Sequence, residues 1–263
     1  MVHGLAQALQ SIQNLPADRC PPRPERRKRL PDPFPPFFPG YTDDEFLEQQ
    51  SYSYEVNGTL YKGKMGDKMK VRLLPGAFME IGSAPGVDEL EPITSFLREK
   101  AEYKKYSFIK GHMWNQQLGG KGVTKNLVPL TTQANSAHKS QAEEPIKAAL
   151  LQFGNFYMGN NSGHDDYDKV YALEYVVQIE DQYWPPVTEL IVPNAIHIQV
   201  FPLKYYYDDK KKLISLPDES IVDTAITDLG VRDKINRMVS GIWIAQDGQV
   251  TDAVNRNSGN TVF

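Results

Sequence analysis

The chain has 263 residues, 40% of them apolar and 24% charged, with a formal net charge of −4. That composition can build one or two domain cores, contains no run near the ~18 apolar residues of a membrane-spanning helix, and is too acidic for the whole surface to bind polyanions indiscriminately. Cys20 is the only cysteine, which excludes an internal disulfide and a thiolate metal cluster.

Taken from its start, the chain shows no basic-then-apolar leader, because Gln7, Gln10 and Gln13 interrupt Leu5, Leu9 and Ile12. The expectation is a cytoplasmic protein in the producing cell, with any export following a non-classical route. Residues 1–45 read as a tail or linker. A short amphipathic helix over 1–15 gives way to eight prolines between Cys20 and Gly40, which also enclose Arg26-Arg27-Lys28-Arg29. Proline removes backbone donors and fixes φ, so this stretch reads as extended: a spacer, or a delivery or localisation signal.

Residues 46–263 read as the folded domain. Tyr52 to Val56 alternates, Asn57-Gly58 is a two-residue hairpin signal, and Thr59-Leu60-Tyr61 returns. Met69 to Leu74 predicts another strand. Leu90, Ile93, Phe96, Leu97 and Ala101 share a helical face, with Pro92 in the first turn. Short apolar runs predict strands at 106–112 and 126–130. Thr131 is placed to cap a helix through Gln133, Asn135 and Glu143, which Pro145 should kink or split before 146–151. A polar loop covers 154–168. Strands are expected at 170–179, 188–192 and 195–201, with a turn at 208–210 leading to Leu213-Ile214. A helix is expected over 221–238 and a loop at the Gly-, Asn- and Ser-rich end. The sum is an α+β domain with a mixed, largely antiparallel sheet.

Charge is distributed unevenly. Between Leu97 and Lys125, Arg98, Lys100, Lys104, Lys105, Lys110, Lys121 and Lys125 stand against Glu99 and Glu102 alone. Part of this is a solvated helix face, but Lys110 and Lys121 flank the densest set of polar chemistry in the chain. That set runs Lys110-Gly111-His112, Asn115, Gly119-Gly120-Lys121-Gly122, Asn126-Leu127-Val128-Pro129, then Gln133-Ala134-Asn135. Imidazole can take a proton from water near neutral pH, and an amide oxygen can bind a hard cation. Together they suit phosphodiester hydrolysis.

A strand ending at His112, a loop, a second strand and a helix bearing Asn135 resemble the His-Me finger (ββα-metal) nucleases, and among them the DNA/RNA non-specific endonuclease family. The elements resemble most closely the nuclease-like domains at the ends of bacterial toxins and effectors. Gly111-His112-Met113-Trp114-Asn115 stands for their Gly-His-Leu-Leu-Asn, Gly119-Gly120-Lys121-Gly122 for a Gly-Pro-Gly loop, and Asn126-Leu127-Val128-Pro129 for Asn-Leu-Thr-Pro. About 45 residues carry the resemblance, with weaker similarity to Leu203. Ile109 stands where the family has Asp, and Lys110 where it has Arg.

The resemblance implies a ββα-metal core and a Mg²⁺- or Mn²⁺-dependent endonuclease that cuts DNA, with RNA as a second substrate and little sequence preference. In it His112 is the general base, Lys110 binds a phosphate oxygen, and Asn126 holds loop or metal-water geometry. Asn135 is the metal ligand and Glu143 matches a family Glu eight residues beyond it. Lys121, Lys125 and Asn115 are expected to touch substrate. On a straight helix Glu143 lies ~12 Å along and ~80° around from Asn135, so it supports the metal from outside the ligand set unless Pro145 bends it closer. An immunity or delivery-system protein is the expected protein partner. The second reading keeps the fold without the chemistry: an inactive nuclease-fold protein that binds nucleic acid or a protein partner. A third treats the chain as a structural or cargo protein whose Pro-rich tail matters most.

Other polar residues have simpler readings. Trp114 is expected in the core, His138 either in the core or solvated rather than as a stand-in base, His164 with Asp165, Asp166 and Asp168 in a surface loop, and Tyr205 to Tyr207 in a half-buried strand.

Overall fold

The computed structural model describes residues 46–75, 82–91, 93–159, 169–180, 184, 192–207 and 213–253, all within the unit Phe34–Phe263. The expected tail, the His164 loop, the strand at 188–192 and the turn at 208–210 lie outside the described residues. The fold is α+β with antiparallel sheets. Its main sheet has strands β1 (Phe46–Val56), β2 (Thr59–Leu73), β5 (Lys169–Ile179), β6 (Ala195–Tyr207), β8 (Ile242–Ala245) and β9 (Val250–Asp252) in that spatial order, with β7 (Leu213–Pro217) also on β6. The hairpin of β3 (Phe108–His112) and β4 (Leu127–Thr131) forms a second, two-stranded sheet.

Side-chain alternation explains the main sheet. Met69, Val71 and Leu73 on β2, Tyr175 and Val177 on β5, and Ile196, Ile198 and Val200 on β6 are buried on one face. Helix α3 (Glu144–Gly159) packs on β5 and helix α5 (Leu229–Ser240) on β6 across that face. The Asn57-Gly58 turn forms as expected, both residues at positive φ (49° and 78°), which matches the twist of the flanking strands. The runs at 59–61 and 69–74 prove to be one strand. β6 continues past its expected end through Pro202. This residue sits between the stretch of β6 that pairs with β8 and the stretch that pairs with β7, where a missing N–H costs the ladder least.

Three expectations need correction. Residues 154–159, expected as the start of a polar loop, continue helix α3. The C-terminal region is not all loop, since Ile242-Trp243-Ile244-Ala245 pairs with β6. The helix expected over 221–238 is two, α4 (Ser220–Ala225) and α5. Asp228 breaks it: extended, it accepts a hydrogen bond from Val231 N and caps α5.

The β3–β4 hairpin docks on β2 at Gly66, where a Cβ would lie 2.5 Å from Met113 Sδ. Its far edge is closed by one side chain from late in the chain. The buried Gln246 amide accepts from Thr131 N (2.9 Å) and donates to Pro129 O (3.2 Å) and Pro193 O (2.9 Å), while Thr131 Oγ1 donates to Gln246 O. Thr131 Oγ1 also accepts from Ala134 N and caps helix α2 (Thr132–His138), as its position predicts. Each such buried bond contributes ~1 kcal/mol, and an orphaned group costs ~1–3 kcal/mol.

Residues 82–91, which lead toward helix α1 (Ile93–Glu99), form a strap over the loop between β3 and β4. Gly82 N donates to Gln116 O (2.8 Å), Ser83 N to Gly120 O (3.2 Å), and Gly122 N to Ser83 Oγ (2.9 Å). The approach is close enough to demand glycine: a Cβ on Gly82 would lie 1.9 Å from Gly120 O, and one on Gly120 would lie 1.8 Å from Trp114 O. Gly120→Ala should therefore lower unfolding stability by ~2 kcal/mol or more, because rigid backbone rather than a side chain must move. Urea denaturation of the variant measures this, and an unchanged midpoint would contradict the described loop packing.

Candidate functional site

His112 ends β3 opposite Leu127, and residue alternation puts it on the same strand face as Lys110. Both side chains reach the strap. His112 Nε2 lies 3.1 Å from Ser83 O. A carbonyl only accepts, so Nε2 carries the hydrogen and Nδ1 of the neutral ring keeps its lone pair. Burial lowers the His112 pKa below its ordinary 6.5, against the opposing pull of the Ser83 hydrogen bond and of the Glu143 charge. The ring is thus held in one tautomer, neutral at physiological pH, which is the state a proton acceptor needs.

Lys110 is engaged elsewhere. Its Nζ meets Gly86 O (3.2 Å), Val87 O (2.6 Å) and Glu91 Oε1 (3.1 Å). An ammonium has three donors, and all three are used. Burial works against ionisation of Glu91, but hydrogen bonds from Ser95, Thr94 and Lys110 outweigh it and hold its carboxyl below the ordinary range. Asn126 is fully buried and staples the loop: its Oδ1 accepts from Trp114 N (2.8 Å) and its Nδ2 donates to Trp114 O and Lys121 O (2.9 Å each). Asn115 turns the chain after His112 by accepting from Gln117 N. Lys121 and Lys125 are exposed on the same loop. Trp114 is in the core, its Nε1 donating to Leu118 O.

The helix after β4 is where sequence spacing misleads. Between α2 and α3 the chain makes a π turn, Lys139–Glu143, closed by Glu144 N to Lys139 O. Pro145 supplies the physical cause. It has no N–H for Gln141 O, and in an α-helix its ring would strike that same carbonyl. The helix widens rather than kinks or splits. A π residue advances by roughly 80° against about 100° in an α-helix, so Glu143 comes within ~20° of the Asn135 meridian instead of ~80°. Lys147, four residues further on, falls on the same face.

This face carries the remaining groups. Asn135 is half-buried, and its side chain makes no hydrogen bond among the described residues. Glu143 is 4% exposed and close enough to His112 to favour that ring's charged form. His138 is completely buried, with Nε2 2.6 Å from Tyr175 Oη and Nδ1 3.6 Å from Glu143 Oε1, too long for a hydrogen bond. Burial lowers its pKa; Glu143 opposes this, while His112 and Lys147 reinforce it. Burial, followed by the Glu143 charge, raises the Tyr175 pKa well above its ordinary value. Burial lowers the Lys147 pKa against the pull of Glu143 and Glu144, and its Nζ donates to Gln117 Oε1.

The structure thus gathers His112, His138 and Lys147 around Glu143, while Lys110 and Asn126 hold the strap and the loop. Lys147 went unnoticed in the sequence. Its signal was the i+4 spacing from Glu143, hidden because the π turn had to be known first. Among the described residues no three His, Cys, Asp or Glu side chains converge as a metal cage. Asn135 and Glu143 nevertheless present hard oxygen donors on one face, still ~12 Å apart along the helix, and the Glu143 carboxylate accepts no hydrogen bond from the described residues, so a divalent cation held by Asn135 would meet Glu143 through water. Compared with family models, curated proteins and solved structures, the chain matches none.

His138 is held uncharged, so protonation opposes folding. Its folded-state pKa is lowered from 6.5, which makes its contribution to stability complete above pH 6.5 and lost as pH falls through the lowered value, at up to about 1.4 kcal/mol per pH unit. Stability should therefore fall between pH 7.5 and 5.5, and His138→Gln should shallow that slope. Urea unfolding across the range tests it; an identical slope in the variant would remove the buried neutral histidine as its source.

Proposed function

We propose that the chain is a Mg²⁺- or Mn²⁺-dependent endonuclease that hydrolyses DNA, and RNA as well, with little sequence preference, built on a ββα-metal core. A bacterial toxin or effector is the setting that fits. One observation carries this reading: His112, fixed by the Ser83 carbonyl with Nδ1 unprotonated, stands beside Glu143 on the helix that follows the second strand of its own hairpin.

In this reading His112 Nδ1 takes a proton from the attacking water, its oxygen adds to phosphorus in line with the 3′ oxygen, and the P–O3′ bond breaks as the leaving oxygen takes a proton from solvent. The Ser83 carbonyl orients the ring and stabilises the imidazolium that forms. Asn135 and Glu143 would hold the cation, which when bound supplies neutralisation of the charge that develops on the phosphate. Asn126 keeps the loop between the strands in register, so that Lys121 and Lys125 can meet the backbone of the nucleic acid. Lys110, with every donor satisfied, ties the strap to β3.

That saturation of Lys110 favours the second reading, an inactive nuclease fold that binds nucleic acid or a protein partner. Plasmid digestion with and without EDTA separates the two. The enzyme should nick and linearise plasmid in Mg²⁺ and stop in EDTA. His112→Ala should lose ~10²- to 10⁴-fold in rate while keeping its fold. Asn135→Ala should lose as much and also shift the Mg²⁺ dependence. Because the His112 pKa is lowered, kcat/KM should rise with pH on the acid side with its midpoint below pH 6.5. Cleavage in excess EDTA, or wild-type rates in both variants, would refute the mechanism.

A further inference from the structure

We propose that Lys147, rather than Lys110, is the cation that meets the scissile phosphate; this rests on the endonuclease reading and names a residue of the same site. The two lysines differ in what their ammonium groups have left to give. Lys110 spends three donors on two carbonyls and the Glu91 carboxylate, and its side chain is 11% exposed. Binding a phosphate there would break the ion pair with Glu91 and the two hydrogen bonds that tie the strap to β3. Lys147 makes one hydrogen bond, to the neutral Gln117 amide, and has no carboxylate within ion-pair distance among the described residues. Two donors and a full charge remain.

Position supports the same choice. Gln117 lies in the turn Gln116–Leu118 that follows His112 and precedes Gly119-Gly120. Lys147 therefore spans from the helix to the loop that carries the candidate base. It shares a helical face with Asn135 and Glu143, and its charge is felt at His138 and balanced by Glu143. Lys147 lies one helical turn beyond Glu143, whose charge reaches His112, so a phosphate seated between His112 and Glu143 lies on the side of the helix from which Lys147 extends. Gln117 serves as a neutral rest for the ammonium, which it can leave without orphaning a charge. A lysine so placed is a point-charge phosphate binder, and phosphate is common to every sequence.

The test uses the full chain and five variants: Lys147→Gln, Lys147→Arg, Lys110→Gln, the exposed control Lys104→Gln, and His112→Ala. Cleavage is followed on supercoiled plasmid in Mg²⁺. Binding is followed by fluorescence anisotropy of a labelled 20-base-pair duplex with Ca²⁺ in place of Mg²⁺, over a range of salt. Lys147→Gln should lose about 100-fold in cleavage and lower the slope of log affinity against log salt by about 1. Lys147→Arg should restore most of both, and Lys104→Gln should lose far less. Thermal melts check folding, and if Lys147→Gln melts early, Lys147→Met and Lys147→Arg carry the comparison. The proposal is overturned if folded Lys147→Gln cleaves like wild type while His112→Ala is dead, an outcome that leaves the endonuclease reading standing. It is overturned equally if folded Lys110→Gln loses more than Lys147→Gln. Plasmid left intact by the wild-type protein removes the endonuclease reading itself. Lys147 as phosphate binder is then judged by anisotropy alone, and equal affinity and salt slope in wild type and Lys147→Gln refute it.

Discussion

A proline at position 145 has no hydrogen to offer Gln141, and the helix that must accommodate it cannot stay α-helical through the preceding turn. The π turn at Lys139–Glu143 is the resolution. It leaves the backbone hydrogen-bonded and rotates everything downstream, so that Glu143 and Lys147 return to the face that carries Asn135. With an ordinary α turn, Glu143 would point some 80° away and the polar groups around His112 would not assemble. Single π turns inside α-helices are often found at functional sites, since they reposition one or two side chains without breaking the helix.

Electrostatics around that turn follow from burial more than from pairing. His112 and His138 are both kept neutral by desolvation, against the pull of the same carboxylate. The Glu143 charge favours the charged forms of His112, His138 and Lys147, and burial opposes it at each of the three. The framework, by contrast, is thoroughly satisfied: Asn126 uses both ends of its amide, Glu91 and Lys110 neutralise each other, and Gln246 closes the hairpin edge.

Much of the local structure was legible because local rules decide it. Asn57-Gly58 needs positive φ and takes it; Thr131 has a cap to make and makes it; His112 ends the strand its apolar neighbours predict. The α+β class with antiparallel strands followed from alternation. What escaped was set by longer range or by a negative quantity. Pro145 showed that the helix would be disturbed, but the disturbance falls on the turn before it, where the carbonyl it cannot serve lies. Lys110 looked like a phosphate ligand because nothing nearby in sequence announced that Gly86, Val87 and Glu91 would claim it. The short strand β8 was hidden in a region read by its glycines and asparagines rather than by Ile242 and Ile244.

The Gln246 amide has a temporal consequence. It lies 115 residues after Thr131, whose backbone it fixes at the start of the helix bearing Asn135. Tyr175, which holds His138, comes 37 residues after its partner. A polypeptide emerging from the ribosome delivers its N-terminal portions first, so the hairpin with His112 leaves the exit tunnel well before the groups that lock its neighbouring helix. Closing loops of such length is slow compared with forming the hairpin itself. Until translation has passed residue 246, the nascent chain lacks the contacts that set the helix in place, and the polar groups around His112 cannot take up their final arrangement while synthesis is still under way.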